Sequence, residues 1–278
     1  MRLSGSVFEE CTNPDRWMGA LKGLGYSAAS CPLDGSEPDD VSSAFAKAAQ
    51  TADVVIAEVG AWSNPLSPDE NARRTSLALS QKRLALADKI GARCCVNIAG
   101  SRSDKWDGPH PDNLTDETFD LIIETVRYII DAVKPTRTFY TLEPMPWMYP
   151  DSADSYLELI RAIDRKQFAV HLDPVNLVSS PQRFHDNAAL IRDCFEKLGP
   201  YIRSCHAKDI RLSSKLTVHL DEVRPGTGGL DYRVYLKELN KLDPDMPLVL
   251  EHLETQEEYR IAADYVRSVA REAGVPIR

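Results

Sequence analysis

Apolar and polar positions along this chain alternate between two textures. Short runs rich in β-branched and aromatic residues, bounded by turn-forming residues, predict strands over 3–8, 26–31, 54–59, 93–98, 138–143, 168–173, 202–206 and 248–251. Longer stretches with apolar residues every three or four positions follow them. They predict helices over 15–24, 41–51, 68–90, 116–133, 155–164, 181–198, 232–241 and 256–273. Local chemistry supports these boundaries. Asn13-Pro14 puts a capping side chain and a proline at a first turn, and Thr255 to Glu258 has the spacing of a capping box. Glycines at 23, 25, 91, 199 and 274 stand at helix ends, where a left-handed residue releases the chain.

Strands and helices in strict alternation imply a parallel sheet with helical crossovers. A count of eight selects closure, so the expected fold is α/β, a single (β/α)8 TIM barrel forming one domain over residues 1–278. No Ser/Gly linker, charge block or low-complexity tract divides it.

Composition then narrows the function. The hydrophobic share of 43% and charged share of 27% are those of a globular chain, not a disordered one. Lys and Arg number 33 against 42 Asp and Glu, and the resulting charge of −9 disfavours a nucleic-acid partner. No apolar run reaches the ~18 residues of a membrane span. The N-terminal residues lack the pattern of a secretory signal. The six cysteines contain no C-x-x-C pair and read as free thiols of a reducing cytosol. A cytoplasmic enzyme acting on a small molecule is the expectation, with assembly as a homo-oligomer left open.

In such a barrel the chemistry sits at the C-terminal ends of the strands. Those ends carry Glu58, Glu143, Asp173 with His171, His206 and Glu251. A single strand-end acid is more often a helix cap or an ion-pair partner. Three carboxylates and an imidazole from four consecutive strands are harder to dismiss, because mutual repulsion would raise their pKa values unless a cation compensated it. The oxygen-rich set of Glu143, Asp173, His206 and Glu251 suits Mn²⁺, Mg²⁺ or Co²⁺ better than a thiolate-type zinc site.

Leu142-Glu143-Pro144, His171-Leu172-Asp173-Pro174-Val175-Asn176, Cys205-His206-Ala207-Lys208-Asp209 and Leu250-Glu251-His252 resemble the xylose isomerase-like sugar isomerase/epimerase superfamily, which also contains endonuclease IV. The resemblance runs over essentially the whole chain. It implies that Glu143, Asp173, His206 and Glu251 hold one divalent metal ion, Mn²⁺ foremost, with Mg²⁺, Co²⁺ or Zn²⁺ as alternatives. It further implies that Glu143 and Glu251 act as acid and base on the substrate. Lys208 and Arg224 fall where members often place substrate or carboxylate contacts. Asn176 stands where many ketose 3-epimerases carry histidine, a departure that touches the reaction rather than the metal.

The chemistry expected is proton abstraction next to a carbonyl, with the developing enediolate stabilised by the metal and the proton handled by a carboxylate. Elimination from a keto-sugar or keto-glycoside, as in a dehydratase or lyase, would use the same site. An endonuclease IV-like nuclease would need further ligands and a basic groove. A non-catalytic sugar-binding protein would be expected to have lost ligands, and none of the four is missing.

Several other residues complete the expectation. Trp62 and Trp147 follow strands and are assigned to substrate stacking, whereas Trp106 is divided evenly between stacking and covering the core. Glu58 is expected to bind substrate hydroxyls or to orient a neighbour. His171, two positions before Asp173 and on the same strand face, is expected at a substrate or supporting hydrogen bond. His219 and Glu222 lie in a long connection read as a lid and count as surface residues, and His252 is expected to point outward. The glycine-rich segment 224–229 is read as a tight turn rather than a phosphate cradle. The substrate is accordingly expected to be an unphosphorylated sugar or glycoside.

Overall fold

A computed structural model describes all 278 residues. Eight parallel strands form one sheet: β1 (Arg2–Ser4), β2 (Ala28–Ser30), β3 (Val55–Gly60), β4 (Cys94–Asn97), β5 (Tyr140–Leu142), β6 (Phe168–Leu172), β7 (Ile202–Ala207) and β10 (Pro247–Leu250). Their order is β1-β10-β7-β6-β5-β4-β3-β2, which curls into a nearly closed (β/α)8 barrel. At the seam, β1 and β2 are joined by the Ser27 amide donating to the Leu3 carbonyl at 3.1 Å. Below it, buried Arg2 pairs at 2.8 Å with both Asp53 and Asp245, tying two further loops to β1.

The outer layer comprises α1 (Pro14–Leu24), α2 (Asp39–Thr51), α3 (Glu70–Ile90), α4 (Asp116–Val133), α5 (Ala153–Ile163), α6 (Pro181–His185), α7 (Asn187–Leu198), α8 (Tyr232–Leu239) and α9 (Gln256–Ala273). Asn13 caps α1 by accepting the Arg16 amide, with Pro14 at the first position. Thr255 caps α9 by accepting the Glu258 amide. Every helix but the short α6 buries part of its apolar side. The 58 residues of the main core form one continuous cluster from Met1 to Val275, so no second globular core divides the chain.

Three expectations change. The helix read over 181–198 is two, α6 and α7, broken at Asp186, whose backbone (φ −122°, ψ 39°) is not helical. The first strand stops at Ser4, short of the predicted 3–8, and at the following Gly5 any Cβ would lie 2.6 Å from the Tyr26 hydroxyl. The connection after β7 is an antiparallel hairpin, β8 (Asp209–Ser213) with β9 (His219–Val223), standing apart from the barrel sheet.

Candidate active site

Glu143 directly follows β5, Asp173 follows β6, His206 lies in β7 and Glu251 follows β10. Three buried tyrosine hydroxyls fix the backbone that presents them. Tyr156 donates to the Leu142 carbonyl at 2.6 Å, Tyr235 to that of His206 at 2.7 Å and Tyr232 to that of Lys208 at 2.7 Å. One potential ligand atom from each of the four residues falls within 4.8 Å of the others. His206 Nδ1 is 2.8 Å from Glu251 Oε1 and 3.2 Å from Glu143 Oε1.

Lys208 completes the cluster. Two residues beyond His206 and on the same strand face, it buries its ammonium 2.6 Å from Glu251 Oε1, 2.8 Å from Asp173 Oδ2 and 3.4 Å from Glu143 Oε1. Part of the compensation expected from a metal is therefore built into the chain. Burial pushes Asp173 up, with Glu143 and Glu251 adding repulsion against the attraction of Lys208, and its carboxyl rises to about 7. Burial also opposes ionisation of Glu143 and Glu251, but Lys208 and His206 outweigh it and hold both below the usual carboxylate range. Lys208 pays for burial with desolvation, which the carboxylates overcome, so its pKa is raised.

The residues fit a divalent cation. Asp173 Oδ2 and Glu251 Oε1 are buried and accept no aligned hydrogen bond even with the ammonium at ion-pair distance. Oxygens so placed seek a point charge rather than an N–H, and three carboxylates with one imidazole form a donor set for a hard divalent ion.

The cluster opens into a cavity of about 1140 Å³ lined by Glu58, Trp62, Trp106, Glu143, Trp147, Asn176, His206, Lys208 and Glu251, among others. Trp62 is 40% exposed, its ring 6.4 Å from that of His206, and Gly60 makes room for it: a Cβ there would lie 2.5 Å from Trp62 Nε1. Trp147 is anchored by donating to the Asp107 carbonyl at 2.7 Å.

The model of the family described as "Xylose isomerase-like TIM barrel" matches residues 18–269. The chain belongs to that family. No curated protein matches it in sequence. Among solved structures, this xylose isomerase-like barrel is similar to a D-psicose 3-epimerase studied in the presence of D-fructose, at 13% identity and TM-score 0.71, covering 98% of this chain and 99% of that one. It is also similar to a probable 3-DHS dehydratase from Bacillus anthracis, at 14% identity and TM-score 0.71, covering 96% and 98%. A third is a xylose isomerase-like barrel from Mycobacterium smegmatis in complex with magnesium, at 18% identity and TM-score 0.65, covering 94% and 90%. At these identities the likeness is one of fold.

Within the xylose isomerase-like frame, the remaining candidates separate. Asn176 lines the cavity and donates to Glu143 Oε1 at 2.9 Å. Glu58 and His171 form a buried pair, with His171 Nε2 3.0 Å from Glu58 Oε2, and His171 lies beneath the cavity rather than on its wall. Arg224 is not among the lining residues. The amides of Gly226, Gly228 and Leu230 donate at 2.9–3.0 Å to the buried Asp209 carboxylate, so the glycine-rich segment is a turn folded around its own anion. All six cysteines are free. No helix is long and apolar enough to cross a membrane.

Two readings are corrected. His252 does not point away from the site: its left-handed backbone (φ 57°) breaks strand alternation and brings it onto the cavity wall. There its Nδ1 is 2.9 Å from Glu222 Oε1 of β9. Glu222 is likewise a lining residue, 3.6 Å from the Lys208 ammonium, while His219 remains exposed. The anchoring tyrosines were not singled out in the sequence, where their helical spacing reads only as core.

Proposed function

We propose that this barrel is a cytoplasmic, divalent-metal-dependent isomerase or epimerase of an unphosphorylated sugar or glycoside. The observation that carries the reading is the convergence of Glu143, Asp173, His206 and Glu251, all but Asp173 lining the cavity. These four residues would hold the ion, Mn²⁺ foremost. When bound, it supplies the Lewis acidity that polarises a substrate carbonyl.

The chain's own groups account for the rest. Glu143 and Glu251 are both held ionised, the state a base needs to take a proton from the carbon beside a carbonyl. Asn176 fixes the rotamer of Glu143 through its amide. Trp62 and Trp147 offer aromatic faces to the C–H side of a sugar ring and exclude water from the floor.

A panel of ketoses, aldoses and keto-glycosides, followed by NMR in deuterated water with Mn²⁺ or with chelator, tests the proposal. Deuterium should enter next to the carbonyl of at least one compound, only with metal. Glu143→Gln and Glu251→Gln should each lose at least a hundredfold in exchange while retaining Mn²⁺, since the amide keeps one ligating oxygen but is no base. Metal-independent exchange, or near-normal rates in both variants, overturns the mechanism.

The cavity volume favours one further reading, elimination from a keto-glycoside through the same proton abstraction. A cavity of about 1140 Å³ exceeds the needs of one sugar ring. Release of an aglycone in the same spectra identifies it.

A further inference from the structure

We propose that Glu58 is a positioning residue: across the barrel bore from β7, it faces Nε2 of His206 and keeps the ring turned so that Nδ1 points at the cation position. The inference rests on reading Glu143, Asp173, His206 and Glu251 as a metal centre.

Glu58 projects inward from β3 and is 5% exposed. Its Oε1 lies 3.5 Å from His206 Nε2, while the other ring nitrogen faces Glu251 and Glu143. At 3.5 Å this is a charge contact rather than a short hydrogen bond, and the carboxylates facing Nδ1 lie closer. An Nε2–H directed at a carboxylate is attracted, whereas a nitrogen lone pair directed at it is repelled. Once a cation takes the Nδ1 lone pair, the proton that remains on the ring is on Nε2, where Glu58 attracts it.

The other contacts of Glu58 show why it serves this purpose instead of holding substrate hydroxyls. Oε2 is 3.0 Å from His171 Nε2 and accepts from Ser204 Oγ at 3.3 Å, and Oε1 accepts from Ser30 Oγ at 3.2 Å. With His206, four side chains occupy the carboxylate. His171 obeys the same tautomer logic. Its Nδ1 is buried without a partner, which is tolerable as a bare lone pair and costly as an N–H, so its proton sits on Nε2 facing Glu58. The His171 ring packs edge-on against His206, centroids 4.0 Å apart, and blocks rotation of the ligand ring. A carboxylate behind a ligating imidazole both orients it and increases its basicity.

The test measures metal rather than turnover. Mn²⁺ is titrated calorimetrically into the full chain and into Glu58→Gln and Glu58→Leu, with thermal unfolding of each metal-free protein alongside. Glu58→Leu should lose about 10–100-fold in Mn²⁺ affinity. Glu58→Gln keeps a neutral acceptor oxygen and should fall between the two. In ¹⁵N NMR of the Mg²⁺-loaded protein, the His206 Nε2–H should be protected from solvent exchange in the wild type and exchange faster in Glu58→Leu. A purely structural role would lower unfolding temperature without this graded affinity or faster Nε2–H exchange. Equal Mn²⁺ affinity in wild type and Glu58→Leu overturns the inference and leaves the metal centre standing. Should Glu58→Leu fail to fold, Glu58→Gln decides by the same comparison. A wild type that binds no Mn²⁺ overturns the metal centre itself.

Discussion

Lys208 holds a buried positive charge among the residues proposed to hold a metal ion, and its energetics can be read from its neighbours. It is 2% exposed at the side chain and meets Glu251, Asp173 and Glu143 at 2.6–3.4 Å. Replacing one partner of a buried ion pair leaves the other charges uncompensated, at a cost of about 3–5 kcal/mol. Metal-free Lys208→Met should lose stability of that order. The same change removes a cation competing for the same oxygens, so Mn²⁺ should bind the variant more tightly and raise its unfolding temperature more than it raises that of the wild type. Thermal unfolding with and without Mn²⁺ measures both, and an unaltered metal-free stability contradicts the charge assignment. Lys208 was expected from the family resemblance as a substrate or carboxylate contact; its place in the ligand cluster follows from sharing the strand face of His206, two residues before it. Glu222 and His252 were not legible in the sequence. One reaches the cavity from an unforeseen hairpin and the other through a left-handed residue, and neither feature leaves a periodicity to read.

Among the elements, β3 shows how one strand end sets up several parts of a site. Glu58, Gly60 and Trp62 are spaced by two, so one inward row carries a carboxylate beneath the cluster, a space and an aromatic wall. Gly60 is the inconspicuous member. A methyl group there would lie 2.5 Å from Trp62 Nε1 and 2.8 Å from Cδ1, so the ring must move. Gly60→Ala should therefore raise KM for the sugar several-fold with little change in kcat or Mn²⁺ affinity, as should Trp62→Ala. A fall in kcat at unchanged KM would place Trp62 in the chemical step instead. The barrel strands were legible because burial on both faces gives continuous apolar runs. The β8–β9 hairpin was not, since most of its residues are exposed or half-exposed and its apolar row is only Ile210, Leu212 and Leu220. The break between α6 and α7 was hidden for a related reason: Asp186 interrupts the backbone without interrupting the helical spacing of apolar residues.

For the molecule as a whole, the question is which ligand an acidic barrel can admit. The net charge is −9, and the cavity repeats that bias, with eight Asp or Glu side chains among its lining residues against three of Lys or Arg. Those three are already engaged. Arg83 donates to the Leu33 carbonyl at 2.8 Å, Lys105 pairs with Asp107 at 3.2 Å, and Lys208 is held by the carboxylate cluster. The glycine-rich segment that could have offered backbone amides spends them on Asp209. A phosphate dianion would meet long-range repulsion on approach and no cradle on arrival. The four lining tryptophans, Trp17, Trp62, Trp106 and Trp147, instead suit a neutral ring with apolar C–H faces. Matched pairs of free and phosphorylated sugars, assayed in competition across a salt series, should favour the free member. Screening relieves repulsion, so the disadvantage of the phosphorylated member should shrink as salt rises. Preference for the phosphorylated sugar that weakens with added salt would mean an attractive anion site exists, and would require Asp209 to release the amides of Gly226 and Gly228 to form it.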